Sequence, residues 1–286
     1  MTEPLREQKF SAGAVTLNYV SSSETGPPFL LLHGITNRWE VFLNVMPYLT
    51  QRWRVFALDL RGHGKSAHVK GGYQGEQIAA DVVRFVEEKI GEPCVLYGHS
   101  LGGMVATYIA AHRPELVRAL GLGDSPFFFD DVTVSVYPEM FARIHQMLLR
   151  RPQRMQLVRE LQEMPLTHPQ FGSVLFKNLP FNDEAFLTWW ANSLLMMDPE
   201  ALGSAIDGRL GASWSCEWVK RIACPTLILQ ADPKWGGLVA ARDIEACRAA
   251  NPRTVHVLLE NVGHSLHIHQ PGPVLRALGN WLGSLA

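Results

Sequence analysis

The most specific chemical signal in this 286-residue chain is Gly98-His99-Ser100-Leu101-Gly102-Gly103. It follows the apolar run Cys94-Val95-Leu96-Tyr97 and leads into a helical pattern, the strand–turn–helix setting in which G-x-S-x-G carries meaning. A turn that sharp holds its central residue in a strained conformation. Positions 98 and 102 require glycine, because Cβ atoms there would collide with the neighbouring chain. The Ser100 hydroxyl is thereby expected at the top of a sheet, near the amides that open the next helix. The plainer alternative is an ordinary glycine-rich turn with an exposed serine.

A serine hydroxyl is a weak nucleophile at neutral pH and needs a neighbouring base. Of eleven histidines, His264 is the best placed, in the loop Asn261-Val262-Gly263-His264 directly after the final strand candidate. Its imidazole can accept the serine proton and return it to a leaving group. The spacing His264-x-x-His267-x-His269 invites a metal reading, but no acidic residue lies within that run, so no metal is expected. His267 and His269 are assigned to the loop and the start of a helix. Two phosphate-binding patterns fail. Arg61-Gly62-His63-Gly64-Lys65-Ser66 ends like a P-loop but has Asp59 where glycine is required, and Gly98–Gly103 does not satisfy G-x-G-x-x-G. Neither a nucleotide nor a dinucleotide cofactor is implied.

The elements that must position these residues alternate. Strand-like stretches occur at Gly13–Val20, Phe29–Leu32, Val55–Leu58, Cys94–Tyr97, Ala119–Leu122, Thr226–Gln230 and Val255–Leu259. Several are continuous apolar runs, as in parallel strands covered on both faces. Between them, Ile78, Val82, Val83, Phe85, Val86 and Ile90 fall on one helical face, and Leu101–His112, Val239–Ala250 and Val274–Leu285 also read as helices. This pattern predicts an α/β fold with a mostly parallel sheet flanked by helices. The alternation stops between Ser125 and about Trp218, where helix-like segments rich in Met, Leu, Phe and Trp predominate. The expected organisation is a core of residues 1–124 and 219–286 with a helical cap inserted at 125–218, over the strand ends where open α/β sheets bind ligands.

These stations together resemble the α/β-hydrolase superfamily over nearly the whole chain. They are His33-Gly34 after an early strand, Asp59-x-Arg61-Gly62-His63-Gly64-x-Ser66, the Ser100 turn, and Gly263-His264 near the end. The resemblance implies a Ser100 nucleophile, a His264 base, and an oxyanion hole from the backbone amides of Ile35 and Leu101. It also implies that Gly34 lets its loop approach the substrate, and that no metal or organic cofactor is needed. The acid that orients His264 has two candidates. Asp232 is the only carboxylate in Gln230–Gly237, where many relatives carry theirs, although it sits slightly early. Asp124, at the end of the preceding strand, matches some lineages. Asp232 is preferred. Asp59 and Arg61 are expected to form an ion pair in a structural loop. Serine at the elbow argues against the relatives that use aspartate there, haloalkane dehalogenases and epoxide hydrolases.

For the pocket, Trp39, His99, Phe127, Phe128, Trp189 and Trp190 are candidate walls, with Phe129 and Leu194–Met197 beside them. Adjacent helical residues rarely face the same way, so one of Trp189 and Trp190 is expected in the core. Aromatic walls with few charges fit a hydrophobic ester of small or medium size. The leading expectation is therefore an esterase-like serine hydrolase acting on a small molecule. A lactonase or a carbon–carbon bond hydrolase would share the same constellation, and a small-molecule receptor on the hydrolase fold is the alternative outside enzymology. Composition narrows the partners. Lys and Arg number 26 against 27 Asp and Glu, for a formal charge of −1, so no basic surface for nucleic acid is expected. No apolar run reaches the roughly 18 residues of a membrane span. The charged opening lacks a secretory apolar region. Four scattered cysteines read as reduced thiols of a cytoplasmic protein. Either a monomer or a homodimer is compatible.

Overall fold

The computed structural model describes residues 5–22, 25–127, 137–168 and 170–285. A hairpin of β1 (Arg6–Ala12) and β2 (Val15–Ser21) begins the chain. The turn that joins the two is made at Gly13, whose φ of 73° suits glycine. The single strand expected at Gly13–Val20 is therefore the second arm of a hairpin. The polar first arm escaped notice because an exposed edge strand has no apolar run.

β3 (Pro28–Leu32), β4 (Arg54–Asp59), β5 (Cys94–His99) and β6 (Val117–Gly123) follow, and β9 (Thr226–Ala231) and β10 (Thr254–Leu259) complete the sheet. The eight strands lie in the order β1-β2-β4-β3-β5-β6-β9-β10. β2 is antiparallel to both neighbours, and the pairs from β4 to β10 are parallel. Alternate side chains enter two cores. Leu30, Leu32, Leu96 and Leu122 pack beneath α1 (Gly75–Arg84), α2 (Leu101–His112) and the later α7 (Ala241–Ala250). Phe29, Leu31, Val95 and Tyr97 face the segment Trp39–Leu49 and α8 (Pro271–Gly283). This two-sided burial explains why the central strands read as unbroken apolar runs.

Between β6 and β9 the chain forms α3 (Tyr137–Leu149), α4 (Arg154–Gln162), α5 (Glu184–Leu195) and α6 (Pro199–Ile206). Asp183 and Asp198 cap α5 and α6 by accepting from the Phe186 and Glu200 amides, at 2.8 and 3.0 Å. This segment between β6 and β9 is not wholly helical. β7 (Pro165–His168) and β8 (Gly172–Leu175) make a small antiparallel hairpin, too short for its period to stand out in the sequence. No helix among the described residues is long and apolar enough to cross a membrane.

Candidate active site

Register brings the loops together. His99 pairs with Gly123 across β5 and β6, so Ser100 and Asp124 each stand one residue beyond the ends of adjacent strands. Ser100 has φ 51° and ψ −120°, a positive-φ conformation costly for a non-glycine residue. Its neighbours show why the turn holds. A Cβ at Gly98 would lie 2.2 Å from the Gly102 carbonyl, and one at Gly102 would lie 2.2 Å from the Leu32 carbonyl oxygen. The Ser100 amide donates to the Gly123 carbonyl at 3.0 Å, tying the turn to the strand that ends at Asp124.

Asp124 is fully buried and also has positive φ, 47°. Its Oδ2 accepts from His264 Nδ1 at 2.6 Å. Three amides complete the cradle: Leu238 at 3.0 Å on Oδ2, with Ala231 at 3.1 Å and Val239 at 3.3 Å on Oδ1. A carboxylate only accepts, so the His264 proton sits on Nδ1 and Nε2 is left as the basic nitrogen. Gly237 lets the loop fold back, since a Cβ there would lie 2.3 Å from the Ala231 carbonyl oxygen.

The preference for Asp232 is thus corrected. Asp232 directly follows β9 and spends its carboxylate on its own turn and the next loop, accepting from the Lys234 amide at 3.0 Å and the Asn261 amide at 3.1 Å. The segment searched for an acid supplies backbone amides to the acid of the neighbouring strand. The expected Asp59–Arg61 pair is also corrected. Asp59 accepts from the amides of Trp39 and Lys65 and from Asn18. Arg61 instead makes two 2.6 Å bonds to buried Asp81, a partner on α1 that local spacing does not reveal. Burial raises the Asp59 and Asp81 pKa values, opposed by those same donors.

Beneath His264 lies a stack of buried imidazoles. His99 donates through Nε2 to the His264 carbonyl at 2.8 Å, and the two rings are 4.7 Å apart. His267 Nε2 bonds the Tyr97 hydroxyl at 2.7 Å. Desolvation pushes His99 down to about 3 and His267 well below 6.5. His267 is therefore fully buried packing, a correction to its place as a polar loop residue. His33, directly before Gly34, is pushed by burial to about 4. It donates from Nδ1 to the Gly34 carbonyl at 2.8 Å and accepts the Leu60 amide at 3.0 Å.

A cavity of about 300 Å³ opens over the strand ends, lined by Ser100, His264, Ile35 and Leu101 together with residues of the insertion. Its walls include Met104, Met140, Phe141, Phe176, Phe186 and Trp190, and no Asp, Glu, Lys or Arg lines it among the described residues. Most wall candidates from the sequence fall elsewhere. Trp39 packs against the second core, Trp189 between the two cores, and Phe127 is buried with its amide on Asp243 at 2.6 Å. His99 lies beneath His264 and away from the cavity lining, and Gly34 backs onto the His99 ring and Ser100. Phe128 and Phe129 lie outside the described residues. Of the adjacent Trp189 and Trp190, Trp190 lines the cavity, because adjacent positions on a helix point apart, and Trp235 lines it as well.

Sequence reasoning missed Tyr137 and His269. Both line the cavity; the Tyr137 ring sits 5.1 Å from the His264 ring, and its hydroxyl donates to the Gly236 carbonyl at 3.0 Å. Burial holds His269 down at about 4. Among the described residues no cluster of His, Cys, Asp and Glu is arranged to hold a metal ion.

This fold and this arrangement of loops place the chain in a known class. Residues 27–271 match the family model for the alpha/beta hydrolase fold, and the chain belongs to that family. Several of its relatives are named as hydrolases. It is 35% identical over 113 residues to the 2-(acetamidomethylene)succinate hydrolase of Mesorhizobium japonicum, a match that spans only 40% of either chain. To the (E)-2-((N-methylformamido)methylene)succinate hydrolase of Acinetobacter baylyi it is 24% identical, across 93% of this chain and 94% of the relative. Among solved structures, the enol-lactonase of Burkholderia xenovorans superposes with a TM-score of 0.71 at 17% identity, covering 96% of this chain and all of that one. That likeness is one of fold.

Proposed function

We propose that the chain is a serine hydrolase that cleaves uncharged, hydrophobic carboxylic esters. The carrying observation is the 2.6 Å bond from His264 Nδ1 to buried Asp124, with Ser100 and His264 on the wall of one cavity whose described lining holds no Asp, Glu, Lys or Arg. Ser100 Oγ attacks the ester carbonyl carbon as its proton passes to His264 Nε2. The resulting oxyanion is stabilised by the amides of Ile35 and Leu101, each such donor being worth about 2.7–4 kcal/mol. Collapse breaks the carbon–oxygen bond, and the departing alkoxide takes the proton from His264. Water then adds to the acyl-enzyme with His264 again as base, releasing the acid and free Ser100. Asp124 holds the imidazole in the Nδ1–H tautomer and balances its transient positive charge. In this reading residues 125–218 serve as a cap that closes the cavity over the substrate, and the four thiols suit a reducing, cytoplasmic setting.

Two of the relatives are named for succinate substrates, whereas the described lining of this cavity carries no Lys or Arg. A succinate dianion would find no Lys or Arg there, because none of the 26 lines the cavity. The test is hydrolysis of p-nitrophenyl acetate, butyrate and octanoate by the wild type and by Ser100→Ala. The variant should lose at least a thousandfold in kcat, in line with triad removal. Activity that survives in Ser100→Ala sinks the mechanism. Turnover of lactones or of carbon–carbon substrates alone rejects the ester assignment while retaining Ser100, and no turnover with no fluorophosphonate labelling supports a receptor.

A further inference from the structure

We infer that Trp190, carried by the insertion, is a positioning residue for the oxyanion loop: its indole N–H holds Thr36 and thereby sets the amide of Ile35. The inference rests on the ester-hydrolase reading above and adds a second task for the insertion, which would act on the chemistry as well as enclose the substrate. Thr36 directly follows Ile35 and has φ 69°. A β-branched residue in that region is strained by about 1–3 kcal/mol and persists only where its surroundings hold it. Within the loop the Asn37 amide closes a turn onto the Gly34 carbonyl at 3.2 Å. Across the cavity, Trp190 Nε1 donates to Thr36 Oγ1 at 3.2 Å, a contact between residues 154 positions apart. Both partners are buried, at 4% and 5% exposure, so water does not compete for the bond.

The indole itself is fixed. It stacks on Phe186 with centroids 6.0 Å apart and planes at 15°, and it packs on Phe176 at 5.4 Å. All three rings line the cavity, as do Ile35 and Thr36. A substrate that packs against this aromatic wall therefore presses on the group that holds the loop. On its other side the loop lies close to the nucleophile, since a Cβ at Gly34 would lie 3.0 Å from both His99 and Ser100. The loop thus runs between the Ser100 turn and the indole of Trp190.

The test is kcat and KM for p-nitrophenyl butyrate, together with the rate of Ser100 labelling by a fluorophosphonate, in four variants. Trp190→Phe keeps a ring and loses the donor, Thr36→Val keeps the branching and loses the acceptor, Thr36→Ser keeps the acceptor, and the fourth combines Trp190→Phe with Thr36→Val. Losing an oxyanion donor outright costs about 10²–10³ in kcat, so a donor merely left loose should cost about tenfold in each of the first two variants. KM should stay within about twofold. Thr36→Ser should match the wild type, and the double variant should be no slower than the worse single one, because both remove one bond. A rise in KM at unchanged kcat, or losses that multiply in the double variant, would overturn the inference and leave Trp190 as cavity wall only. If Trp190→Phe fails to fold, the Thr36 pair decides the matter from the other side of the bond. A wild type that neither hydrolyses the ester nor labels at Ser100 overturns the parent reading and this one with it. A wild type that does both, beside variants that do not slow, overturns this one alone.

Discussion

Asp124 and Asp232 directly follow neighbouring parallel strands of the same sheet, yet the structure uses them oppositely. Asp124 turns at positive φ, is fully buried, and gathers three amides and the His264 imidazole. Asp232 keeps an extended backbone at φ −66° and ψ 121°, remains half-buried, and caps the short helical turn that it opens. A carboxylate at the end of a strand is not an orienting acid by position alone. It becomes one when the neighbouring loop closes over it, fixing both oxygens so that one faces the imidazole. The loop after β9 performs that closure for Asp124, with Gly237 permitting the fold-back.

The comparison can be broken most directly by neutralising each carboxylate in turn. Asp124→Asn should lower kcat by about 10⁴, the scale seen when a triad aspartate becomes an amide and the imidazole takes the wrong tautomer. Ester turnover close to wild type in that variant would return Asp232 to contention. Gly237→Ala sharpens the same contrast without touching either acid. Its Cβ would force the loop away from Ala231, loosening the amides on Asp124, and a displacement of this kind should cost about ten- to a hundredfold in kcat.

A smaller effect should appear in stability against pH. His99, His267, His33 and His63 are held neutral by burial, with His99 and His63 near 3 and His33 near 4, against 6.5 when free. Below about pH 6.5 the unfolded chain binds protons that the folded chain refuses, so stability falls as pH drops toward 3–4. Each such histidine contributes up to about 1.4 kcal/mol per pH unit. The raised carboxyls of Asp59 and Asp81 work the other way at acid pH. Urea titrations at pH 7, 6 and 5 would measure the net slope. A flat profile would mean that the raised carboxyls offset the histidines or that the floor beneath His264 is wetter than its packing shows, and repeating the titrations in Asp81→Asn separates the two. Asp232→Asn should be the mildest change, with kcat within about twofold and a loss of at most ~1 kcal/mol for the weakened cap. A large kinetic defect there would show that the loop after β9 depends on its own aspartate to reach Asp124.

Much of this was legible in the chain itself, and the reason is local. The strand runs are apolar because the sheet is covered on both faces, and the turn around Ser100 is written in glycines because backbone atoms lie within 2.2 Å of where Cβ atoms would be. The position of His264, in the loop five residues beyond the end of β10, also follows from local order. These features act over a few residues, and side-chain type suffices to read them. The first arm of the opening hairpin and the small hairpin inside the insertion were not legible, since short or polar strands carry no period strong enough to read.

What only the tertiary structure decided are the pairings over long separations. His264 meets Asp124 across 140 positions, Trp190 meets Thr36 across 154, and Arg61 chooses Asp81 over the nearer Asp59. Sequence spacing says which residues are able to pair. It does not say which loop folds over which strand end, because that depends on the register of the sheet and on the packing of the segment between β6 and β9. A carboxylate finds its partner only where three-dimensional closure removes the water that would otherwise serve it equally well.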